Sequence, residues 1–532
     1  MRRAFKIASA VAIVLAGAGC RDGYKSFPDV PADAKPDEFV TEAKPLTLGS
    51  EKFVAEYGTI AVPENRSNVT SRLIHIPFLR IVSNAKAPAE PVFCLGGGPG
   101  QSNMSWALGL AWTLLPRHDV VLVGYRGVDG STLLDCPEVA EAFKAESDML
   151  SEESMKAIGS AWTASAERLR ARGVDLDGYT MLETIEDNES VRKVLGYERI
   201  HLLSASYGTR IAYLYGLKHP ERIFRSAMIS VNPPGHFVWE PQVIDSQLRY
   251  YAALWSKDSA TSAKTPDLYG TMATVLNAMP RRWLFLPINS GKVKIVTFAL
   301  LYHRSTAAMV FDAYVAAGRG DPSGLALMSL AYDYVVPSLM VWGDAASKAV
   351  GADFDSTRNY GADMEPPGLP LGSPMSKVMW GSLRYCRWPI RQLPAEYRSV
   401  QHSGVETLLL SGSIDFSTPA EFATKELLPY LKNGKQVILS EAGHVNDLLY
   451  VSPENSKLIL TSFFETGVPN VSLNAYVPMD FNVSWRFSTL AKLALAAIIL
   501  VVLAACFVIF RLIRRYGRGS TAVREAGPVS GS

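Results

Sequence analysis

A chain of 532 residues with 48% hydrophobic and 20% charged residues has the material for a large packed core, which excludes general disorder. A net charge of +2, with no long basic run interleaved with aromatics, excludes a polyanion-binding surface, so no nucleic-acid partner is expected. The length allows one large domain or two ordinary ones.

Arg2, Arg3 and Lys6 precede an apolar run from Ile7 to Gly19, followed by Cys20. A charged start, a short apolar stretch and small residues before a cleavage point read as an export signal over residues 1–20. The closing "AGAGC" is similar to a bacterial lipobox, with Gly17 where leucine is usual, which makes Cys20 a lipidation candidate.

From about residue 45 to 232 the chain reads as the first part of a sheet-based core. "YGTIAVPEN" and "RLIHIPFLRIV" have the pattern of early antiparallel strands. "PVFCLGG", "DVVLVGYRG", "RIHLLSAS" and "IFRSAMISV" are continuous apolar runs that read as strands buried on both faces. Helical patterns such as "AWTASAERLRAR" and "ETIEDNESVRKVLG" separate them. Residues 233–396 break this alternation with helix formers, aromatics and proline punctuation, and read as a helical lid insertion over the carboxyl edge of the sheet. Residues 397–465 resume it with "ETLLLSGSID" and "KQVILSEAGH", completing an α/β core with a mostly parallel central sheet.

Residues 466–489 are expected to form a stalk and 490–512 a transmembrane helix. Leu493 to Phe510 is an uncharged apolar run of 18 residues, about 27 Å long as a helix and just sufficient to cross a bilayer. Lys492 lies at one end, and Arg511, Arg514, Arg515 and Arg518 crowd the other. The positive-inside rule then puts the tail, 513–532, in the cytoplasm and the core outside it, in the periplasm or at the cell surface. Of the five cysteines, Cys94 reads as a buried strand thiol, while Cys136 and Cys386 lie in loop-like segments and are candidates for a disulfide in an oxidising compartment. No Cys or His cluster suggests a metal, and no cofactor is expected.

The chemistry is concentrated at strand ends. In "HLLSASYGTR", Ser206 sits where a strand turns into a helix, the place where a nucleophilic serine projects its Oγ and the next N–H faces a developing oxyanion. By itself, a serine beside a glycine at a helix start is also an ordinary cap. Two later strand ends add Asp415 and His444, separated by 209 and 29 residues in the order serine, acid, histidine. In those roles His444 takes and returns the serine proton, and Asp415 fixes its tautomer. His201 and His219 are closer in sequence but begin the strand and end the helix, pointing away. Asp447 follows His444 too closely to orient it. The glycine-rich "CLGGGPGQS" lacks the lysine of a phosphate loop, and its backbone suits a substrate carbonyl, with Gly97 and Tyr207 N–H as the oxyanion donors.

Together these stretches resemble the prolyl iminopeptidase and tripeptidyl aminopeptidase family of α/β-hydrolases. "GGGPG" at 96–100 matches its His-Gly-Gly-Pro-Gly loop except that Gly96 replaces histidine, and "VLVGYRGVDGST", "SASYGTRIAYLYGLKHPERI", "LLLSGSIDFSTP" and "EAGH" follow in the family's order. The resemblance covers roughly residues 50 to 465. It implies the α/β-hydrolase fold, no metal, and hydrolysis of a peptide bond near a free N-terminus through an acyl-enzyme. It also implies acidic lid residues that bind the substrate amine, for which Glu240, Asp245 and Glu365 are candidates. An esterase on the same scaffold and a non-catalytic, membrane-tethered binding protein are the other readings. The oligomeric state is left open.

Overall fold

The computed structural model describes residues 27–48, 50–104, 106 and 113–522. The expected export signal, Cys20 and the last residues of the tail lie outside this set.

Among the described residues eleven strands are formed: β1 (Phe39–Leu48), β2 (Glu51–Pro63), β3 (Leu73–Val82), β4 (Ala89–Leu95), β5 (His118–Val123), β6 (Ile200–Ala205), β7 (Ile223–Ile229), β8 (Arg282–Trp283), β9 (Leu286–Pro287), β10 (Glu406–Gly412) and β11 (Gly434–Leu439). Nine make one sheet in the order β1-β2-β3-β5-β4-β6-β7-β10-β11, and β8 and β9 pair as a separate hairpin. β1, β2, β3 and β5 pair antiparallel, while every neighbour from β5 to β11 is parallel.

The apolar runs of the parallel strands are explained by what covers them. Phe93 and Leu95 of β4 enter one buried cluster, while Val92 and Cys94 enter the other on the opposite face; Val121 and Val123 of β5 divide from Val120 and Leu122 in the same way. Alternate residues project to opposite faces, so a strand buried on both sides needs apolar residues throughout. The edge strand β1 obeys a different rule. Its "FVTEAKPLTL" is exposed or half-buried along its whole length, pairs with β2, and sends Phe39 to within 6.4 Å of the Phe78 ring on β3.

Among the described residues, the helices of ten residues or more are α1 (Glu152–Ala171), α2 (Met181–Val194), α3 (Tyr207–Lys218), α4 (Pro241–Lys257), α5 (Leu268–Asn277), α6 (Ser290–Leu300), α7 (Arg304–Gly318), α8 (Ser323–Val335), α9 (Trp342–Asp353), α10 (Pro374–Leu383), α11 (Pro453–Thr466) and α12 (Phe487–Ala522). Seven of them, α4 to α10, lie between β7 and β10 with the β8–β9 hairpin. The first 27 residues of α12, Phe487–Ile513, form a candidate membrane span, with a mean hydropathy of 3.2 over their most apolar 18 residues.

The segment before α12 is not a loose stalk. Glu441 accepts from the Tyr476 hydroxyl at 2.5 Å and from Met479 N–H at 2.6 Å, and Arg304 donates to the Pro478 carbonyl. Met479 and Phe481 are buried, with the Phe481 ring 5.2 Å from that of Trp255.

The expected disulfide does not form, because Cys136 and Cys386 are both free thiols. Cys136 approaches Ser165 and Cys386 approaches Thr163, two residues apart on α1. Side chains at that spacing leave a helix on different sides, so the two sulfurs face apart.

Candidate active site

The sharp turn between β6 and α3 sets the geometry. Ser206 takes φ 52 and ψ −123 as the residue before the helix and caps nothing with its side chain. A non-glycine residue at positive φ is strained, and such strain persists only where surrounding contacts over-determine it. Here Ser206 N–H donates to Ile229 O at 2.9 Å, and the Thr209 hydroxyl donates to Ser206 O at 2.6 Å. Gly208 completes the turn, since a Cβ there would lie 2.1 Å from the Leu95 carbonyl oxygen at the end of β4. Gly208→Ala is therefore expected to lower stability by about 1–3 kcal/mol, read as a shift in the urea midpoint, with activity lost because β4 leads directly into the glycine loop.

A continuous hydrogen-bonded chain starts from this serine. Ser206 Oγ is 2.9 Å from His444 Nε2, and His444 Nδ1 is 3.0 and 2.9 Å from the two Asp415 oxygens. Asp415 is fully buried. It also accepts from Ser417 N–H at 3.0 Å, from Thr418 N–H at 2.8 Å and from the Thr418 hydroxyl at 2.8 Å. Burial pushes its pKa upward, but the His444 and Thr418 interactions outweigh this and hold it below the ordinary 3.8. His444 is fixed from the inserted helices, its N–H donating to Tyr302 O at 2.8 Å. Next to it, Val445 N–H donates to Ser230 Oγ at 2.9 Å.

The glycine loop after β4 leaves one donor over. Gly96 N–H goes to Asn103 Oδ1 at 2.8 Å, Gly98 N–H to Gln101 Oε1 at 3.0 Å and Gly100 N–H to Asp344 Oδ2 at 2.9 Å, and Pro99 has no N–H. Among the described residues Gly97 N–H makes no hydrogen bond, and neither does Tyr207 N–H in the first turn of α3. Unengaged backbone donors on the loop after β4 and on the residue after Ser206 are the kind of group an oxyanion requires.

The scaffold of that loop comes from Tyr125, Arg126 and Asp129 of "VLVGYRGVDGST" and from Asn103, Asp344, Lys348 and Asp187, which no motif singled out. The Tyr125 hydroxyl donates to Gly96 O at 3.0 Å. Asn103 Nδ2 donates to Cys94 O at 2.9 Å and Val123 O at 2.8 Å, tying the loop across β4 and β5. Asp129 accepts from Asn103 and Tyr125 N–H, at 3.0 and 2.8 Å, and burial raises its pKa to about 6. Asp344 at the start of α9 pairs with Lys348 at 3.1 Å, both buried. Beneath them the buried Arg126 holds Asp187 at 2.6 Å. The tract "GYRGVDG" was the only sequence signal for any of these.

Two departures from the family pattern, Gly96 in place of the loop histidine and Ser204 in place of the first glycine of the elbow, have local reasons. Trp106 takes the space over Gly96, where a Cβ would come within 2.2 Å of the indole. Ser204 is fully buried in β6, its hydroxyl donating to Ala227 O at 3.2 Å across to β7. The nearby histidines do turn away: His201 is buried among Phe224, Phe464 and His118 with its pKa lowered by burial to about 3, and His219 pairs with Glu186 at 2.8 Å.

The three acidic candidates are dispersed, and each has its own cation. Glu240 meets Arg358 at 2.6 and 2.7 Å, Asp245 meets Arg249 at 2.7 Å and the Tyr269 hydroxyl at 2.5 Å, and Glu365 meets Lys294 at 2.7 Å and Lys377 at 2.5 Å. Of these, Glu240 lines a cleft with Trp239, Phe416 and Ser417, on the side of the loop that carries Asp415.

Residues 90–267, from β4 through the turn at Ser206, match a family described as having the alpha/beta hydrolase fold. The chain is 24% identical over 386 residues to a tripeptidyl aminopeptidase of Streptomyces coelicolor, covering 65% of this chain and 69% of the relative. A tripeptidyl aminopeptidase of Streptomyces lividans matches with the same identity and coverage. Among solved structures, an alpha/beta hydrolase enzyme from a Medee basin deep-sea metagenome library is 13% identical with a TM-score of 0.36, covering 76% of this chain and 98% of its own.

Proposed function

We propose that this chain, which has the α/β-hydrolase fold and is similar to tripeptidyl aminopeptidases, is an exported, membrane-anchored serine peptidase that removes short peptides or proline from free N-termini. The observation that carries this reading is the unbroken relay from Ser206 through His444 to the buried Asp415, with the serine on a strained turn.

In this reading Ser206 Oγ attacks the scissile carbonyl while His444 Nε2 removes its proton. Asp415 stabilises the resulting imidazolium through Nδ1–H. The oxyanion is received by the Gly97 and Tyr207 N–H groups, a role supported by their having no other hydrogen-bond partner among the described residues. His444 returns the proton to the leaving amine, leaving an acyl-enzyme at Ser206. Water activated by the same imidazole then hydrolyses this ester. Glu240 is the acid best placed to meet the substrate ammonium, since it lines the cleft beside the acid loop. The core lies outside the cytoplasm, with α12 as the span and the arginines after it on the inner side.

One observation favours an esterase instead: all three acidic candidates are already neutralised by arginine or lysine. The full-length protein in detergent distinguishes the two. Tripeptidyl and prolyl anilides with a free amine are expected to be cleaved, and N-acetylation is expected to reduce kcat/KM by about 100-fold, the loss of one charged recognition pair worth about 3 kcal/mol. Cleavage of a short-chain ester with no turnover of either anilide would move the reading to the esterase.

A further inference from the structure

The inserted helices expose an apolar face beside the candidate span. Gly324 of α8 packs against Phe487 and Ser488 at the start of α12, with a Cβ position only 3.2 Å from Phe487 Cβ and Ser488 N. Lys492 reaches Asp321 at 2.6 Å, and Arg486 reaches Asp312 at 3.5 Å. Ser488 and Ala491 are buried in this contact, so α12 leaves the domain directly from α7 and α8.

On α8 the residues Leu327, Leu330, Ala331 and Tyr334 follow the spacing of one helix face. That face is open: Leu330 is 44% and Tyr334 is 76% exposed. The β8–β9 hairpin packs on the same helix, and Asn289 N–H, just after it, donates to Ser329 Oγ at 3.0 Å. Its sequence, "RRWLFLP" from Arg281, puts Leu284 and Phe285 at the tip, 60% and 73% exposed. Leu284 also takes φ 53, where glycine or asparagine is the comfortable choice. Arg281 and Arg282 are exposed at the base, and among the described residues neither has an ion-pair partner.

Aromatic and aliphatic side chains at a tip, with arginines behind them, match the layering of a bilayer surface, where acyl chains lie beneath anionic phosphates. We propose that the open face of α8 and the β8–β9 tip rest in the lipid interface beside α12, giving the domain a second, non-spanning membrane contact. Leu284, Phe285 and Tyr334 enter the acyl boundary, and Arg281 and Arg282 meet phosphate. This inference rests on the reading of α12 as a span.

The test uses the full chain in nanodiscs containing phosphatidylglycerol, with the photo-crosslinking residue p-benzoylphenylalanine placed singly at Phe285, Tyr334, Leu503 or Val69. Leu503 lies in the span, and Val69 is fully exposed in the β2–β3 turn. Lipid adducts are expected at 285, 334 and 503, several-fold above any at 69. The double change Arg281→Glu with Arg282→Glu should reduce the adduct at 285 and leave that at 503 unchanged. Adducts at 503 without any at 285 and 334 would overturn the interfacial contact while leaving the anchor intact. No adduct at 503 would overturn the anchor and the contact with it, and crosslinks from 285 or 334 to a second copy of the chain would replace lipid with self-association.

Discussion

Ser206→Ala is expected to lower kcat on a free-amine peptide anilide by about 10⁴- to 10⁶-fold, because the alanine leaves nothing to form the acyl-enzyme. On the proposed mechanism, what remains reflects the binding site and the Gly97 and Tyr207 donors acting on attack by water. The fold is expected to survive, since Ser206 makes its structural contacts through its backbone N–H and carbonyl. Thermal unfolding checks this, with a midpoint equal to or above that of the parent. Turnover that persists at the parental rate in the variant would remove Ser206 from the mechanism altogether.

The second large effect is at Asp415, where asparagine is expected to lower kcat by about 10⁴-fold by presenting the imidazole with the wrong tautomer. The pH dependence distinguishes it from simple loss of packing. Interaction with His444 and Thr418 holds the Asp415 pKa below 3.8 against the effect of burial. Its stabilisation of the fold is therefore complete above 3.8 and fades as pH falls through the lower folded value. Denaturant titrations should show Asp415→Asn clearly less stable than the parent at pH 7, with the gap closing as the pH is taken below 3.8. A gap that stays constant with pH would mean that Asp415 contributes shape rather than charge.

The parts of this molecule that were legible in its sequence share one physical property: they are local. Five of the six parallel strands announced themselves as apolar runs because both of their faces are buried, the edge strand β11 by a shorter run with Ile438 exposed, and the turn residues at their ends marked Ser206, Asp415 and His444 as neighbours across the sheet. β1 escaped because an exposed edge strand has no burial to impose a pattern, and "TEAKP" in its middle reads as loop. The two-residue strands β8 and β9 are too short for any periodicity. The support of the glycine loop was invisible for a different reason: Asp344 meets Gly100 across 244 residues, and nothing local to either position records the meeting. The disulfide expectation failed in the same way, since an argument from compartment and exposure says nothing about which way two thiols point.

The segment before α12 has a consequence for how substrates arrive. A domain on a slack tether sweeps a hemisphere and meets substrate at any angle. This chain is strapped at Tyr476 and Met479 to Glu441, three positions before His444, and enters α12 already packed on α7 and α8. With α12 embedded in a bilayer, the distance from the membrane to Ser206 becomes a fixed length rather than an average. On the proposed reading as an anchored peptidase, the site then has one standing orientation, and peptides presented at that height are favoured by position as well as by chemistry.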